Sequence, residues 1–140
     1  MRIVHVLVAY VFVIAAAVAV QPASLNAGDG WIRESPPNSP VRAGYVELRN
    51  DGEVDIVVTG ANSTTFGAIE VHEMVGEGDM MRMRRLREHL RPAGGTVRLE
   101  PGGKHLMLFR PQRPLAAGDA VVVTLELATG GSAEIELRQR

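Results

Sequence analysis

Short runs in which apolar and polar residues alternate recur about every ten positions beyond Gly28, and turn-forming residues separate them. Alternation with a period of two puts the apolar side chains on one face of a strand. No long 3.6-residue period, which would indicate amphipathic helices, is present in this region. The pattern therefore predicts an all-β sandwich or barrel with strands at Gly44–Leu48, Val54–Ala61, Ala68–Val75, Asp79–Arg84, Thr96–Glu100, His105–Phe109, Ala120–Leu127 and Ser132–Leu137.

The segment Met81–Leu90 fits this pattern least well, because its residues are good helix formers. We predict a strand as far as Arg84, since Pro92-Ala93-Gly94-Gly95 ends the segment soon afterwards. The arginines of this segment indicate a solvated face, with a docking patch for an acidic partner or a stray nucleic-acid site as the alternatives. Glu70 and Glu73, which alternate with apolar residues, are predicted to face solvent.

Residues 1–27 have the pattern of a secretory signal peptide: Arg2 near the start, a long apolar run, and then small residues. Cleavage after Ala27 is predicted, with cleavage after Ala19 and an uncleaved membrane anchor as alternatives. The remaining residues, 28–140, are enough for one domain. We expect this domain to lie in the periplasm or otherwise outside the cytoplasm, and to touch the membrane only through an uncleaved leader.

Composition excludes several function classes. A net charge of -1 argues against nucleic-acid binding. The absence of cysteine excludes disulfides, thiolate nucleophiles, iron–sulfur clusters and Cys-ligated zinc. No phosphate-binding Gly-rich loop, G-x-S-x-G or H-E-x-x-H motif is present, so we expect no enzymatic activity and assign no catalytic residue.

Histidine and methionine cluster in one window of the chain. His72 and Met74, Met81 and Met83, and His105 and Met107 form three i, i+2 pairs, so each pair projects from one face of its strand. Imidazole and thioether donors without thiolate favour copper(I), and the missing cysteine argues for copper transport rather than electron transfer. Methionine is also an ordinary packing residue, so a Met-faced interaction module remains the alternative.

Larger motifs then resemble a known family. Trp31-Ile-Arg-Glu-Ser-Pro-Pro, Ala43-Gly44-Tyr45 and His72-x10-Met83-x21-His105-x-Met107 resemble the bacterial periplasmic copper chaperones of the PCuAC type. The resemblance implies a single cupredoxin-like Greek-key β-sandwich. It also implies copper(I) ligands at His72, Met83, His105 and Met107, with Met74 and Met81 as accessory thioethers.

The resemblance further implies delivery of copper to the binuclear site of cytochrome c oxidase, directly or together with a Sco-type thiol protein. Copper storage or tolerance would use the same ligands and stays open. We expect a monomer. Lys104 stands where many family members have an aromatic or small residue, and a positive charge there should weaken copper(I) binding or tune its release.

Overall fold

The computed structural model describes residues 24–87, 89–91 and 94–140, with side chains described outside residues 89–91. This part of the chain is all-β. The strands are β1 Leu25–Ala27, β2 Gly30–Ile32, β3 Val41–Asn50, β4 Ile56–Asn62, β5 Phe66–Glu77, β6 Met80–Leu86, β7 His89–Arg91, β8 Thr96–Leu99, β9 His105–Pro111, β10 Ala120–Leu127 and β11 Ser132–Gln139.

The strands form a sheet in the order β6-β5-β9-β3-β2-β11-β10-β4-β7, and pairing of β4 with β5 closes it on itself. Strand β2 runs parallel to β11, and the other pairs are antiparallel. Strand β3 serves two sheets, because its first half pairs with β2 and β9 and its second half with β1 and β8. Neighbours such as β5–β9 and β9–β3 are distant in sequence, as in a Greek-key barrel or sandwich. The predicted all-β, cupredoxin-like Greek-key fold is confirmed.

The core lies inside this closed sheet and is built from the apolar positions of each alternating run. Strands β5 and β9 contribute Ile69, Leu106 and Leu108, and β10 and β11 contribute the largest set: Val121, Val123, Leu125, Leu127, Ile135 and Leu137. Gly30 allows the close approach of β2 to β11, since a Cβ at this position would clash with Leu137 Cδ2 and stand 2.7 Å from the Glu136 carbonyl oxygen. Burial of these apolar side chains is the main stabilising contribution to the fold.

All eight predicted strands are present, with ends shifted by a few residues. The segment that begins at Met81 is rich in helix-forming residues, but it is a β-strand as far as Leu86 because it pairs with β5. Strands β1, β2 and β7 were not predicted. His89 lies on β7, and its side chain falls outside the described part of the structure.

Strand β1 bears on the predicted leader boundary. Leu25–Ala27 pairs with Leu48–Asn50 of β3, so cleavage after Ala27 would remove a strand, whereas cleavage after Ala19 would keep it. The rest of the predicted signal peptide, residues 1–23, lies outside the described residues, and its cleavage remains a prediction. The described part of the chain has no helix of the length and apolarity needed to cross a bilayer.

Candidate metal centre

The two histidines of the predicted site lie side by side on neighbouring strands. In the β5–β9 register His72 is directly opposite His105, and their ring centroids are 6.1 Å apart. Both project from the outer face, because Ile69 and Leu106 occupy the alternate positions that point into the core. His105 is nevertheless only 6% exposed, and the His72 side chain only 14%. The pair is therefore largely withdrawn from solvent.

A carboxylate fixes the ring of His72. Nε2 of His72 lies 2.8 Å from Oε2 of Glu70, two residues earlier on the same face of β5. An ionised carboxylate only accepts hydrogen bonds, so in the neutral imidazole Nε2 carries the proton and Nδ1 keeps its lone pair. That Nδ1 atom is buried and has no hydrogen-bond partner among the described residues. A buried, unpartnered acceptor is costly, and a metal ion would satisfy it.

His105 is held in the opposite tautomer. Its Nδ1 lies 3.0 Å from the carbonyl oxygen of Gly103, which can only accept, so in the neutral ring Nδ1–H donates and Nε2 keeps the lone pair. The same carbonyl accepts a hydrogen bond from the Met74 amide at 3.3 Å. The Pro101-Gly102-Gly103 turn that presents it requires glycine at residue 102, where φ is +82°. Each histidine thus offers one unprotonated nitrogen, and the protein fixes which one.

Aromatic rings flank the histidine pair. The rings of Tyr45 and His105 are 6.5 Å apart, and those of Phe109 and His72 are 6.4 Å apart. Tyr45 is only 5% exposed and also contacts Trp31, with ring centroids 4.5 Å apart. These rings keep water from one side of the pair, which lowers the local dielectric constant and favours neutral donors.

The thioethers lie around the histidines at different distances in the register. On β9, Met107 is opposite Glu70 and half-buried; on β6, Met83 is opposite Met74 and 50% exposed. Met107 and Met83 therefore flank the pair on opposite diagonals and are not neighbours of each other. Met74 follows His72 on the same face of β5, as near in register as the two predicted methionine ligands.

Accessory Met81 lies one step farther along β6, opposite Gly76, and is 60% exposed. Among the described residues, no group of three or more histidines and carboxylates could hold a metal ion. A metal on this face would therefore rely on thioether sulfur to complete its coordination. Soft, low-charge ions prefer such a donor set.

The structure corrects the interpretation of Glu70 as a simple solvent-facing residue. Its side chain is 23% exposed and binds both His72 and Arg85, whose Nη1 lies 3.0 Å from Oε1 of Glu70. The position of Glu70, two residues before His72 on a strand, is the sequence signal that could have revealed this contact. Glu73, which was also predicted to face solvent, lies on the opposite face, where its side chain is only 18% exposed and pairs with Arg84.

The arginines of β6 are exposed, in agreement with the predicted solvated face. Arg82 pairs with Glu77, Arg84 with Glu73 and Arg85 with Glu70. These neighbouring carboxylates largely compensate the positive charge of the strand. Lys104, next to His105, is half-buried in the turn, where its carbonyl accepts the Glu100 amide at 2.8 Å.

Comparison with known proteins identifies the relatives of this chain. Residues 25–138 match the family described as "Putative lipoprotein LpqE-like". The chain belongs to this family. It is also 29% identical over 116 residues to "Putative lipoprotein Lxx21020" of Leifsonia xyli subsp. xyli, a match that covers 82% of this chain and 69% of that protein.

Solved PCuAC domains share the fold of this LpqE-like chain. The copper-bound PCuAC domain from PmoF2 superposes with a TM-score of 0.70 at 18% identity, covering 86% of this chain and 95% of the domain. The copper(I) form of DR1885 from Deinococcus radiodurans superposes with a TM-score of 0.65 at 25% identity, covering 90% of this chain and 83% of that one. The resemblance to the PCuAC family, inferred from the motifs, is confirmed.

Proposed function

We propose that this LpqE-like protein is a copper(I) carrier of the periplasm or a similar extracytoplasmic space, with His72, Met83, His105 and Met107 as its ligands. The observation that supports it most is the paired histidines, each with one lone-pair nitrogen, set among thioethers in a fold shared with copper-bound PCuAC domains. Imidazole and thioether are neutral donors suited to copper(I).

The mechanism is ligand exchange, with copper as cargo and no covalent chemistry. Met83 is 50% exposed, so an incoming ligand can approach the metal from that side. A partner with thiolate ligands would then replace the thioethers and imidazoles one at a time, because thiolate binds copper(I) more strongly than neutral sulfur. The binuclear copper site of cytochrome c oxidase, reached directly or through a Sco-type thiol protein, is the proposed destination.

Localisation outside the cytoplasm is supported by the lipoprotein family and the lipoprotein relative that the chain matches, and by the predicted leader. An oxidising compartment suits a carrier built without cysteine, since thioether and imidazole form no disulfides. The leader, cleaved or retained as an anchor, would set whether the carrier diffuses or stays at the membrane.

Anaerobic copper(I) titration against a chromogenic competitor tests the ligands, using protein exported by an expression host. The native protein is expected to bind one tight equivalent, and the His72→Ala, His105→Ala double variant to lose it. Met80→Leu is the matched control, since Met80 is exposed on the opposite face of β6. Native protein that fails to compete for copper(I) would refute the carrier function and favour a Met-faced interaction module.

A further inference from the structure

Beyond the histidine pair, the outer face of the β5–β6 hairpin carries three thioethers in succession. The register places Met74 directly opposite Met83 and Met81 opposite Gly76, all on the face of His72. We call Met74, Met81 and Met83 the thioether track. It leads from the turn at Gly78 to the buried histidines.

Gly76 makes room for the outermost member of the track. Met81 Sδ lies 3.7 Å from the position that a Cβ at Gly76 would occupy. The thioether therefore folds across the hairpin onto the backbone of β5, although Met81 as a whole is 60% exposed. An alanine at position 76 would place its Cβ in ordinary van der Waals contact with this sulfur, so Met81 lies directly over residue 76.

Neighbouring methionines of the track are close enough for their sulfurs to approach each other, and their exposure decreases towards His72. Directly opposed side chains have Cβ atoms about 5 Å apart and diagonal neighbours about 7–8 Å apart, within reach of a flexible methionine. Exposure falls from 60% at Met81 to 50% at Met83, and Met74 is half-buried. Consecutive sulfurs can therefore share one ion as it moves inward.

The charged side chains of the β5–β6 hairpin allow a cation to bind along the thioether track. Arg82 and Arg84 project from the opposite face, where each pairs with a glutamate. Arg85, on the face of the track, is 3.0 Å from Glu70. A monovalent cation on the thioethers thus meets no uncompensated arginine between the hairpin turn and His72.

We propose that the thioether track is an outer docking subsite, where copper(I) is first captured and from which it leaves, distinct in role from the histidine centre that retains it. This inference rests on the proposed function. It assigns Met74 and Met81 to the rate of exchange and the histidines to the equilibrium affinity, with Met83 shared by both.

The test separates rate from affinity. Copper(I) transfer from the loaded protein to bicinchoninate is followed by anaerobic stopped-flow, for the native protein and for Met74→Leu, Met81→Leu. The double variant is expected to transfer at least about tenfold more slowly, while its equilibrium affinity changes by less than about threefold. Met80→Leu is the control, because Met80 is 62% exposed on the opposite face.

Each outcome has one meaning. Tight binding with an unchanged rate in the double variant would overturn the track but leave the proposed function intact. Loss of the tight equivalent in the double variant would also overturn it, because Met74 or Met81 would then be a retaining ligand. Native protein that binds no copper(I) would instead be a failure of the proposed function.

A second measurement probes the track without the histidines. In His72→Ala, His105→Ala labelled with 13C-methyl methionine, silver(I) is expected to shift the Met81 and Met83 methyl signals at concentrations that leave Met80 unchanged. Silver(I) is a redox-inert substitute with the same preference for soft donors. Equal shifts at Met80 and Met81 would mean unspecific binding to exposed sulfur and would overturn the proposal.

Discussion

The molecule has two long hairpins that pair to the same extent but are stabilised differently. Strands β10 and β11, like β5 and β6, oppose seven pairs of residues. In β10–β11 one face is buried apart from the half-buried Ala133, with Val123 and Leu137 fully enclosed, and the other face is mostly polar but includes the exposed Val122. In β5–β6, all seven residues of β6 except the half-buried Leu86 are exposed.

The difference separates a hairpin whose apolar side chains build the core from one whose apolar side chains remain at the surface. The apolar residues of β10–β11 contribute to stability by burial. The methionines at the tip of β5–β6 bury little surface, and the hairpin is held by its backbone pairing and by surface ion pairs such as Arg82–Glu77. Met81 and Met83 contribute little to the core, and the proposed carrier function would give their exposed thioethers a role in copper(I) binding.

The largest effect is expected from a cavity in β10–β11. Leu125 is 2% exposed, and Leu125→Ala should lower the free energy of unfolding by about 2–5 kcal/mol, through lost burial and the cavity left behind. Urea denaturation measures this loss. The protein that remains folded should keep its copper(I) affinity, because Leu125 belongs to the core and not to the outer face of β5 and β9. A coupled loss of affinity would contradict the separation of the two hairpins.

The matched change in β5–β6, Met83→Leu, should leave the stability of the fold almost unchanged and weaken copper(I) binding. Met83→Leu conserves volume on a half-exposed position, so the free energy of unfolding should move by less than about 0.5 kcal/mol. Removal of this proposed ligand should weaken copper(I) binding by at least about a hundredfold, the upper end of the loss when an outer-shell residue of a metal site is removed. Competitor titration and urea denaturation of one preparation give both values. A destabilised variant with native affinity would make Met83 a structural residue.

A smaller effect is expected at Glu70, which acts through His72. Glu70→Gln removes the charged acceptor of the Nε2–H bond, so the His72 tautomers should mix and copper(I) affinity should fall about tenfold. Long-range proton–nitrogen NMR of the metal-free protein reports the tautomer directly. Glu73→Gln is the matched control, since Glu73 has a similar exposure but lies on the opposite face of β5. An unchanged tautomer in Glu70→Gln would leave Glu70 without a positioning role.

Most of the fold could be predicted because burial imposes a period of two on the long strands. Strands β1, β2 and β7 were not predicted because three residues are too few to establish a period. Their pairing also depends on partners that are distant in sequence, such as Leu48–Asn50 for β1. The pattern also predicted that His72 and Met74 share a face. That prediction came from spacing within one strand.

Register between strands could not be predicted in the same way. Only the fold shows His72 opposite His105, and Met107 and Met83 on opposite diagonals. Glu70 was misinterpreted because alternation marks a carboxylate as solvent-facing, whereas the neighbouring imidazole and arginine determine its contacts. The contacts between strands, such as Glu70 with Arg85, therefore needed the structure, whereas the i, i+2 spacing of Glu70 and His72 on β5 was already visible in the sequence.

The smallest effect is expected from a change at Asp119, which lies at the base of the β10–β11 hairpin. The Asp119 carboxylate accepts a hydrogen bond from the Ala116 amide at 2.9 Å, and this bond, helped by Arg113, lowers the pKa of Asp119 below its ordinary value of 3.8. A lowered carboxyl pKa stabilises the fold above the ordinary value, and the contribution is lost as pH falls through the folded-state pKa. Asp119→Asn should therefore be slightly less stable than the native protein at neutral pH. The difference should shrink below about pH 5 and vanish in strong acid, as urea denaturation across pH would measure. A difference that persisted in acid would mean that the Asp119 side chain stabilises the fold by packing. Its charge would then make no measurable contribution to the stability of the β10–β11 hairpin.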